Sequence, residues 1–160
     1  MSATNPIRRR AAAALVRASA LLGASPAGAT PDLNTDATGY AIRGYDPVAY
    51  FTEGRPVRGR ADQEVEHGGG KYLFASEANR NAFRADPTKY APQYGGFCAY
   101  GVAVGKKFDV DPGSFKVVGG KLYLNLNPVI FDKWNQDISG YVGKADQSWG
   151  RIRDQAPSEL

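Results

Sequence analysis

The chain has 160 residues, of which 42% are hydrophobic and 11% aromatic, enough for one ordinary domain with a core, which excludes wholesale disorder. No run approaches the roughly 18 to 20 apolar residues that a spanning helix needs, so we expect no membrane span. The formal charge of +4 resides in the first 29 residues, and the remainder, with 16 basic and 16 acidic residues, offers no electrostatic footprint for a nucleic-acid partner.

The first 29 residues have the pattern of a signal peptide. Arg8 to Arg10 form a positive start, residues 11–22 form a short apolar stretch, and Ala27-Gly28-Ala29 is a small-x-small cleavage motif. We therefore predict a signal peptide over 1–29 and a periplasmic or secreted mature chain. An amphipathic helix and a disordered arm stay open as alternatives, because Arg17 interrupts the apolar stretch. The paired arginines leave both general and twin-arginine export open.

The next segments predict a linker, a turn and a hairpin. Residues 30–42 are polar with few apolar anchors, which indicates a linker, and Gly44 to Pro47 indicate a turn. Strand-type residues over 63–67 and 71–75 flank the Gly68-Gly69-Gly70 triplet, a connection that can take positive φ. This pattern predicts the first β-hairpin.

Two short helices are predicted in the middle of the chain. The first covers 77–85 with Ser76 as its N-cap, and Asp86-Pro87 ends it because a residue before proline avoids the α region. The stretch 90–105 carries almost no charge, which predicts burial over much of its length, with a short helix over 97–104.

A second hairpin and a further helix follow. Residues 115–118 and 121–124 alternate around Gly119-Gly120, a two-residue connection suited to a primed turn. Asn127 and Pro128 are typical of a helix start, with the asparagine as N-cap and the proline at the first helical position.

The last predicted helix covers about 137–149, and residues 154–160 are predicted to be a disordered tail. The fold class is therefore α+β, a small single domain of short antiparallel β-hairpins packed against several short helices. We place this domain at 43–153.

The stretch 65–90, VEHGGGKYLFASEANRNAFRADPTKY, resembles the YHS domain, a short module found alone and attached to heavy-metal transport ATPases. The family pattern has His-x-Gly, then Tyr-x-Phe-Cys-Ser, a further Cys, a Phe and Asp-Pro-x-x-Tyr, preceded by Asp-Pro-Val-Cys. Its positions correspond to Asp46, Pro47, Val48, Ala49, His67, Gly69, Tyr72, Phe74, Ala75, Ser76, Asn79, Phe83, Asp86, Pro87 and Tyr90. The rest of the chain resembles a stand-alone, exported branch of the family. The resemblance as a whole covers about Gly44 to Trp149, so residues 43–153 are expected to form a YHS-like domain.

The three cysteines of the family pattern are absent. Their positions hold Ala49, Ala75 and Asn79. The resemblance implies that these cysteines are the metal ligands in metal-handling members of the family, since thiolates suit soft ions such as Cu(I). An alanine coordinates nothing, so that metal site is not transferred to this chain.

Cys98 is the only cysteine and His67 the only histidine. An internal disulfide and a four-cysteine zinc site are therefore excluded. If the chain binds copper or another soft metal, we expect Cys98 as the first ligand, helped by His67, which requires the thiol to lie near the imidazole or a carboxylate. The alternatives are a buried, inert thiol and a histidine that is hydrogen-bonded at the edge of a hairpin. A thiol-dependent enzyme needs an exposed, acidic Cys98 with an orienting group, and no catalytic residue is predicted.

Three further residues are candidates for binding a small ligand. Tyr45 and Asp46 lie in the opening turn, and Tyr100 belongs to an aromatic set near Cys98. For Asp46 the alternative is a structural carboxylate that accepts backbone N–H groups before a proline.

The sequence thus predicts a non-enzymatic periplasmic binding protein in metal, specifically copper, or redox homeostasis. The alternative is a metal-free module that binds a small ligand or a protein partner. Loss of the three family cysteines favours the alternative.

Overall fold

The computed structural model describes residues 30–160. The predicted signal peptide lies outside these residues and stays a prediction. None of the helices between residues 30 and 160 has the length and hydrophobicity to cross a bilayer.

Two antiparallel hairpins and six short helices make up the described residues, which confirms the predicted α+β class. The strands are β1 (Arg60–His67), β2 (Gly70–Phe74), β3 (Asp111–Val118) and β4 (Lys121–Asn125). The helices are α1 (Ala49–Thr52), α2 (Glu77–Ala85), α3 (Pro87–Tyr90), α4 (Ala99–Ala103), α5 (Pro128–Asn135) and α6 (Ile138–Ile152). Short 3₁₀ turns cover Ile42–Gly44, Gln93–Gly96 and Pro157–Glu159.

Both predicted hairpins form, each with a two-residue glycine connection. Val118 pairs with Lys121 across Gly119 and Gly120, whose φ values of +58° and +74° are those of a primed turn. In the first hairpin His67 pairs with Gly70, so the third glycine of the triplet belongs to β2. A Cβ at Gly70 would lie 2.3 Å from a methyl carbon of Leu33, so this position is kept small by close packing.

Side-chain caps begin the helices where the sequence predicts them. The Ser76 hydroxyl accepts the Asn79 N–H at 3.1 Å, and the Asn127 side chain accepts the Ile130 N–H at 2.9 Å. The short helix α3 was not predicted. It begins because the Asp86 carboxylate, at the end of α2, accepts the Lys89 N–H at 3.1 Å.

The core consists of two clusters of buried side chains. The first joins the two hairpins with α2 and contains, among others, Tyr50, Tyr72, Phe74, Phe83, Cys98, Leu122 and Leu124. The second lies between β4 and the helices α4 to α6 and contains Tyr94, Phe97, Ala99, Val102, Tyr123, Trp134, Ala145 and Ile152.

Residues 30–42, predicted as a linker, instead pack on the domain. Leu33, Ala41 and Ile42 are buried in the first cluster. The backbone of Tyr40 forms a parallel bridge to Lys71, on the edge of β2. Three apolar residues are too few to predict a packed segment from the sequence. In the structure all three pack in the first cluster.

The chain end, predicted as a disordered tail over 154–160, also packs on the domain. Lys107 explains the difference, because its buried ammonium donates to the carbonyl oxygens of Pro31, Arg153 and Gln155 at 2.6, 2.8 and 2.6 Å. It also lies 5.2 Å from the ring centroid of Trp149. One lysine thus ties both ends of the described chain to its body.

Candidate functional site

Asp46 is fully buried and its carboxylate is held by four hydrogen bonds. One oxygen accepts the N–H groups of Val48 and Ala49 at 2.8 and 3.3 Å. The other accepts the Ala75 N–H at 2.8 Å and the Asn79 side-chain amide at 2.7 Å. Four donors satisfy a carboxylate that has no access to water, which is the structural role that the sequence left open for Asp46.

These contacts bring together the three positions that hold cysteine in the family pattern. Ala49, Ala75 and Asn79 come from α1, the end of β2 and α2, and each donates to Asp46. We call this group the Asp46 knot. A soft metal ion at these positions needs thiolate ligands. The three positions instead supply two backbone N–H groups and one side-chain amide, which act as hydrogen-bond donors to Asp46. The residues of the Asp46 knot therefore do not fit the metal that the family resemblance implies.

Cys98 is fully buried at the start of α4. Its thiol donates to the Asn125 side-chain oxygen at 3.7 Å and accepts the Gly101 N–H at 3.3 Å. Burial raises the pKa of this thiol, so the thiolate that coordinates metals or attacks substrates is disfavoured. Neither His67 nor a carboxylate is among its hydrogen-bonding partners within residues 30–160.

The candidate ligand residues Tyr45, Asp46 and Tyr100 are not brought to one place by their side-chain contacts. The Arg58 guanidinium lies 4.7 Å from the centroid of the Tyr45 ring. The Tyr100 ring lies 5.0 Å from the Lys133 ammonium and makes an edge contact with another tyrosine. Asp46 is enclosed in its knot, so the structure gives the three residues separate surroundings.

His67 lies at the exposed end of β1, beside Gly68. Its ring meets the Phe83 ring edge-on with centroids 5.7 Å apart, and the Tyr72 ring centroid is 6.3 Å away. No hydrogen bond to the imidazole is formed within the described part of the chain, which leaves both ring nitrogens free for a ligand.

His67 and Tyr72 line one cleft of about 440 Å³, which we call the His67–Tyr72 cleft. Tyr72 is only 2% exposed, and its hydroxyl has no hydrogen bond within residues 30–160. That hydroxyl is not among the atoms sealed from solvent. The remaining lining residues are Asp32, Leu33, Gly68, Thr88, Ala91, Pro92, Gln93, Tyr94, Gly95, Trp149 and Arg153.

The cleft combines an aromatic wall with polar groups that can hold a small molecule. Trp149 and Tyr94 supply flat apolar surface, their ring centroids 6.0 Å apart. His67, Tyr72 and the half-exposed Arg153 supply hydrogen-bond donors, and Arg153 also lies 3.7 Å from the carboxylate of Asp32. A concave site with apolar walls and a few polar groups is typical of binding sites for small organic ligands.

Sequence reasoning singled out His67 but missed Tyr72 and Arg153 as partners in a site. The position of Tyr72 could have been predicted from the hairpin register. His67 pairs with Gly70, and Tyr72 lies two residues after Gly70 on the same face of the strand. That register predicts His67 and Tyr72 on the same side of the hairpin. The position of Arg153 could not have been predicted in this way, since it depends on how α6 packs on the rest of the chain.

Between residues 30 and 160, no three or more histidine, cysteine, aspartate and glutamate side chains are grouped so that they could hold a metal ion.

Comparison with known proteins identifies a family for part of the chain. No curated protein and no solved structure matches this sequence. The model of one family does match, and it covers the segment that contains Ala49, His67, Tyr72, Ala75 and Asn79. Residues 48–94 of this chain therefore match the YHS domain, a family linked to metal handling, which confirms the resemblance seen in the sequence over that segment.

Proposed function

We propose that this protein is an exported, non-enzymatic binding module that holds a small organic ligand in the His67–Tyr72 cleft and no soft metal at the family's cysteine positions. One observation carries the proposal. Two residues of the YHS pattern, His67 and Tyr72, present polar groups without protein partners to the same cleft.

The Asp46 knot supports the metal-free part of the proposal. Copper handling requires thiolates or a comparable donor set, and here the three family positions are engaged in hydrogen bonds to a buried carboxylate. Two of these positions are alanines, whose side chains cannot coordinate a metal, and the side-chain amide of the third, Asn79, is already bonded to Asp46 at 2.7 Å.

The surroundings of Cys98 support a role without covalent chemistry. A nucleophilic cysteine is exposed and its pKa is lowered by a cation or a helix N-terminus of adequate length. Cys98 is instead fully buried, and burial raises its pKa. Export is proposed on the leader pattern of residues 1–29 alone, and release of the signal peptide would leave Thr30 at the start of the mature chain.

A Cu(I) titration tests the metal-free part. We expect no stoichiometric binding by the purified protein, and no difference between the protein and its Cys98→Ser and His67→Ala variants. Stoichiometric Cu(I) binding that Cys98→Ser abolishes would overturn this part and return the protein to the copper role predicted from its sequence.

An NMR screen with small hydroxylated and carboxylated aromatic molecules tests the ligand site. Hits should shift the signals of His67, Gln93 and the Trp149 ring N–H. Tyr72→Phe removes one hydroxyl and should weaken binding roughly threefold to tenfold, the worth of one hydrogen bond. Tyr45→Phe is the matched control outside the cleft and should have no effect. Molecules that shift the signals of residues outside the cleft, or whose affinity is unchanged by Tyr72→Phe, contradict the proposed site.

A further inference from the structure

A second concave surface lies outside the segment that matches the YHS domain. It is a groove of about 780 Å³ between the end of the second hairpin and the helices α5 and α6. Val118, Ile138 and Val142 supply its apolar surface, and Tyr123 and Asp146 supply polar groups. We call it the Asp146 groove. Its volume is in the range of small-molecule sites, and the groove is open to solvent.

Tyr123 presents an unpartnered hydroxyl to this groove. The residue is only 4% exposed, and its ring packs against Trp134 with centroids 5.5 Å apart. Its hydroxyl has no hydrogen bond within residues 30–160, and it is not sealed off as the buried ring nitrogen of Trp134 is. A buried tyrosine normally finds a partner for its hydroxyl, so this group is available to an occupant of the groove.

Asp146 contributes a carboxylate that the protein only half uses. One oxygen accepts the Tyr94 hydroxyl at 2.8 Å, and the second has no protein donor within the described residues. No basic side chain is within salt-bridge distance of Asp146 in this part of the chain. The negative charge of Asp146 also raises the pKa of Tyr123, in addition to the effect of burial, which agrees with the two groups facing one region.

The groove therefore combines an apolar surface, an aromatic hydroxyl and an unneutralised carboxylate. A primary ammonium group has three N–H donors, and it can donate to the free oxygen of Asp146 and to the hydroxyl oxygen of Tyr123. Asp137 also lines the groove, and although its carboxylate caps α6 it adds to the negative field. An anion would meet two carboxylates and no cation among the lining residues.

We propose that the Asp146 groove binds a small organic amine, with the ammonium on Asp146 and Tyr123 and the apolar body against Val118, Ile138 and Val142. This site is separate from the His67–Tyr72 cleft, so its failure would leave the proposed function untouched.

Three probes with the same apolar body and different charge test the proposal by methyl NMR on the purified protein. Phenethylamine should bind and shift the methyl signals of Val118, Ile138 and Val142. Phenethyl alcohol should bind more weakly, by roughly threefold to tenfold, and hydrocinnamate should bind less still, since it places a third carboxylate in the groove. Added salt should weaken binding of the amine and leave binding of the alcohol unchanged.

Two variants locate the ammonium. Asp146→Asn keeps an oxygen for the Tyr94 hydroxyl while removing the charge, and Tyr123→Phe removes a hydroxyl that bonds to no other protein group. Each variant should weaken the binding of phenethylamine roughly threefold to tenfold without changing the affinity for the alcohol. Asp132→Asn, an equal change of charge on the exposed face of α5, is the control and should have no effect. Equal binding of the three probes, no binding of the amine, or amine binding that both variants leave intact would overturn the proposal.

Discussion

Asn79 donates its side-chain amide to the Asp46 carboxylate across 2.7 Å, at a position where the YHS pattern has a cysteine. The same carboxylate accepts the backbone N–H groups of Ala49 and Ala75, the other two cysteine positions. Positions that would surround a metal ion in a thiol-bearing relative here surround a carboxylate. Only the side chain at position 79 takes part in these hydrogen bonds, because Ala49 and Ala75 donate through their backbones, and the Asn79 amide supplies a donor where a thiol would be a poor one.

Asp46→Asn should destabilise the protein strongly. An asparagine presents an NH₂ group to donors that now face an oxygen, so at least one buried backbone N–H loses its acceptor. We expect the free energy of unfolding to fall by about 2–4 kcal/mol, measured by urea denaturation. Asp132→Asn, the same change on an exposed residue, should stay within about 0.5 kcal/mol of the unmodified protein. Equal effects of the two changes would mean that the Asp46 knot contributes nothing.

Restoring the three cysteines should create a metal site. The variant Ala49→Cys, Ala75→Cys, Asn79→Cys places three thiols around Asp46, and thiolates are strong ligands for Cu(I). We expect one Cu(I) per chain in a titration with a chromophoric competitor, against none for the unmodified protein.

The single variant Ala75→Cys is the control, since it supplies one thiol of the three at the same place, and it should bind no Cu(I) in competition. If the triple variant folds, as judged by circular dichroism, and still binds no copper, the three positions do not converge as the hydrogen bonds to Asp46 indicate.

Lys107→Met should release both ends of the described chain. The change removes three hydrogen bonds to the carbonyl oxygens of Pro31, Arg153 and Gln155, while the apolar stem of the side chain is kept. We expect a loss of about 2–4 kcal/mol in the free energy of unfolding.

Hydrogen exchange distinguishes local release from global loss of stability. The amides of Leu33 and Gln155, which bond to Thr30 and Ile152, should lose protection more than the amides of β2 do. Lys106→Met, at the exposed neighbouring position, should change neither set. Uniform loss of protection across the domain would contradict a local role for Lys107.

Asp109 should make the free energy of unfolding depend on pH in the acidic range. Burial alone would raise the pKa of this carboxyl, but hydrogen bonds from Arg43, Asn34 and the Val110 N–H outweigh it and hold the pKa below its ordinary value. A carboxyl with a lowered folded-state pKa contributes stability that is present above the unfolded pKa, near 4, and is lost as the pH falls through the folded pKa.

Thermal unfolding between about pH 5 and pH 2 measures this contribution. Asp109→Asn should be less stable than the unmodified protein at the upper end of this range, and the difference should shrink towards the lower end. Asp132→Asn serves again as the control. A difference between the protein and Asp109→Asn that does not change with pH would show that the carboxyl charge is irrelevant.

Local interactions explain why much of the secondary structure was predictable. The glycine pair at 119–120, the caps Ser76 and Asn127, and the stop at Asp86-Pro87 each act over three or four residues, so the sequence carries the whole signal. The helix α3 was missed because the same Asp86 both ends one helix and caps the next.

The backbone at Tyr94 shows where local rules fail. Its φ of +54° lies in the left-handed region, which a tyrosine rarely adopts, and no sequence pattern announces it. The conformation accompanies long-range contacts, since the hydroxyl donates to Asp146 and the ring meets Trp149 at 6.0 Å between centroids.

The sequence by itself determined the hairpins, the capped helices, the YHS resemblance and the absence of thiols at three family positions, because each depends on residue identity or on neighbours along the chain. Only the tertiary structure decided that those three positions meet at Asp46, that Lys107 ties down both chain ends, and that Tyr72 and Arg153 line one cleft with His67. These relationships join residues up to 86 positions apart, as His67 and Arg153 are. Burial and hydrogen bonding between such distant residues are settled only when the whole core packs.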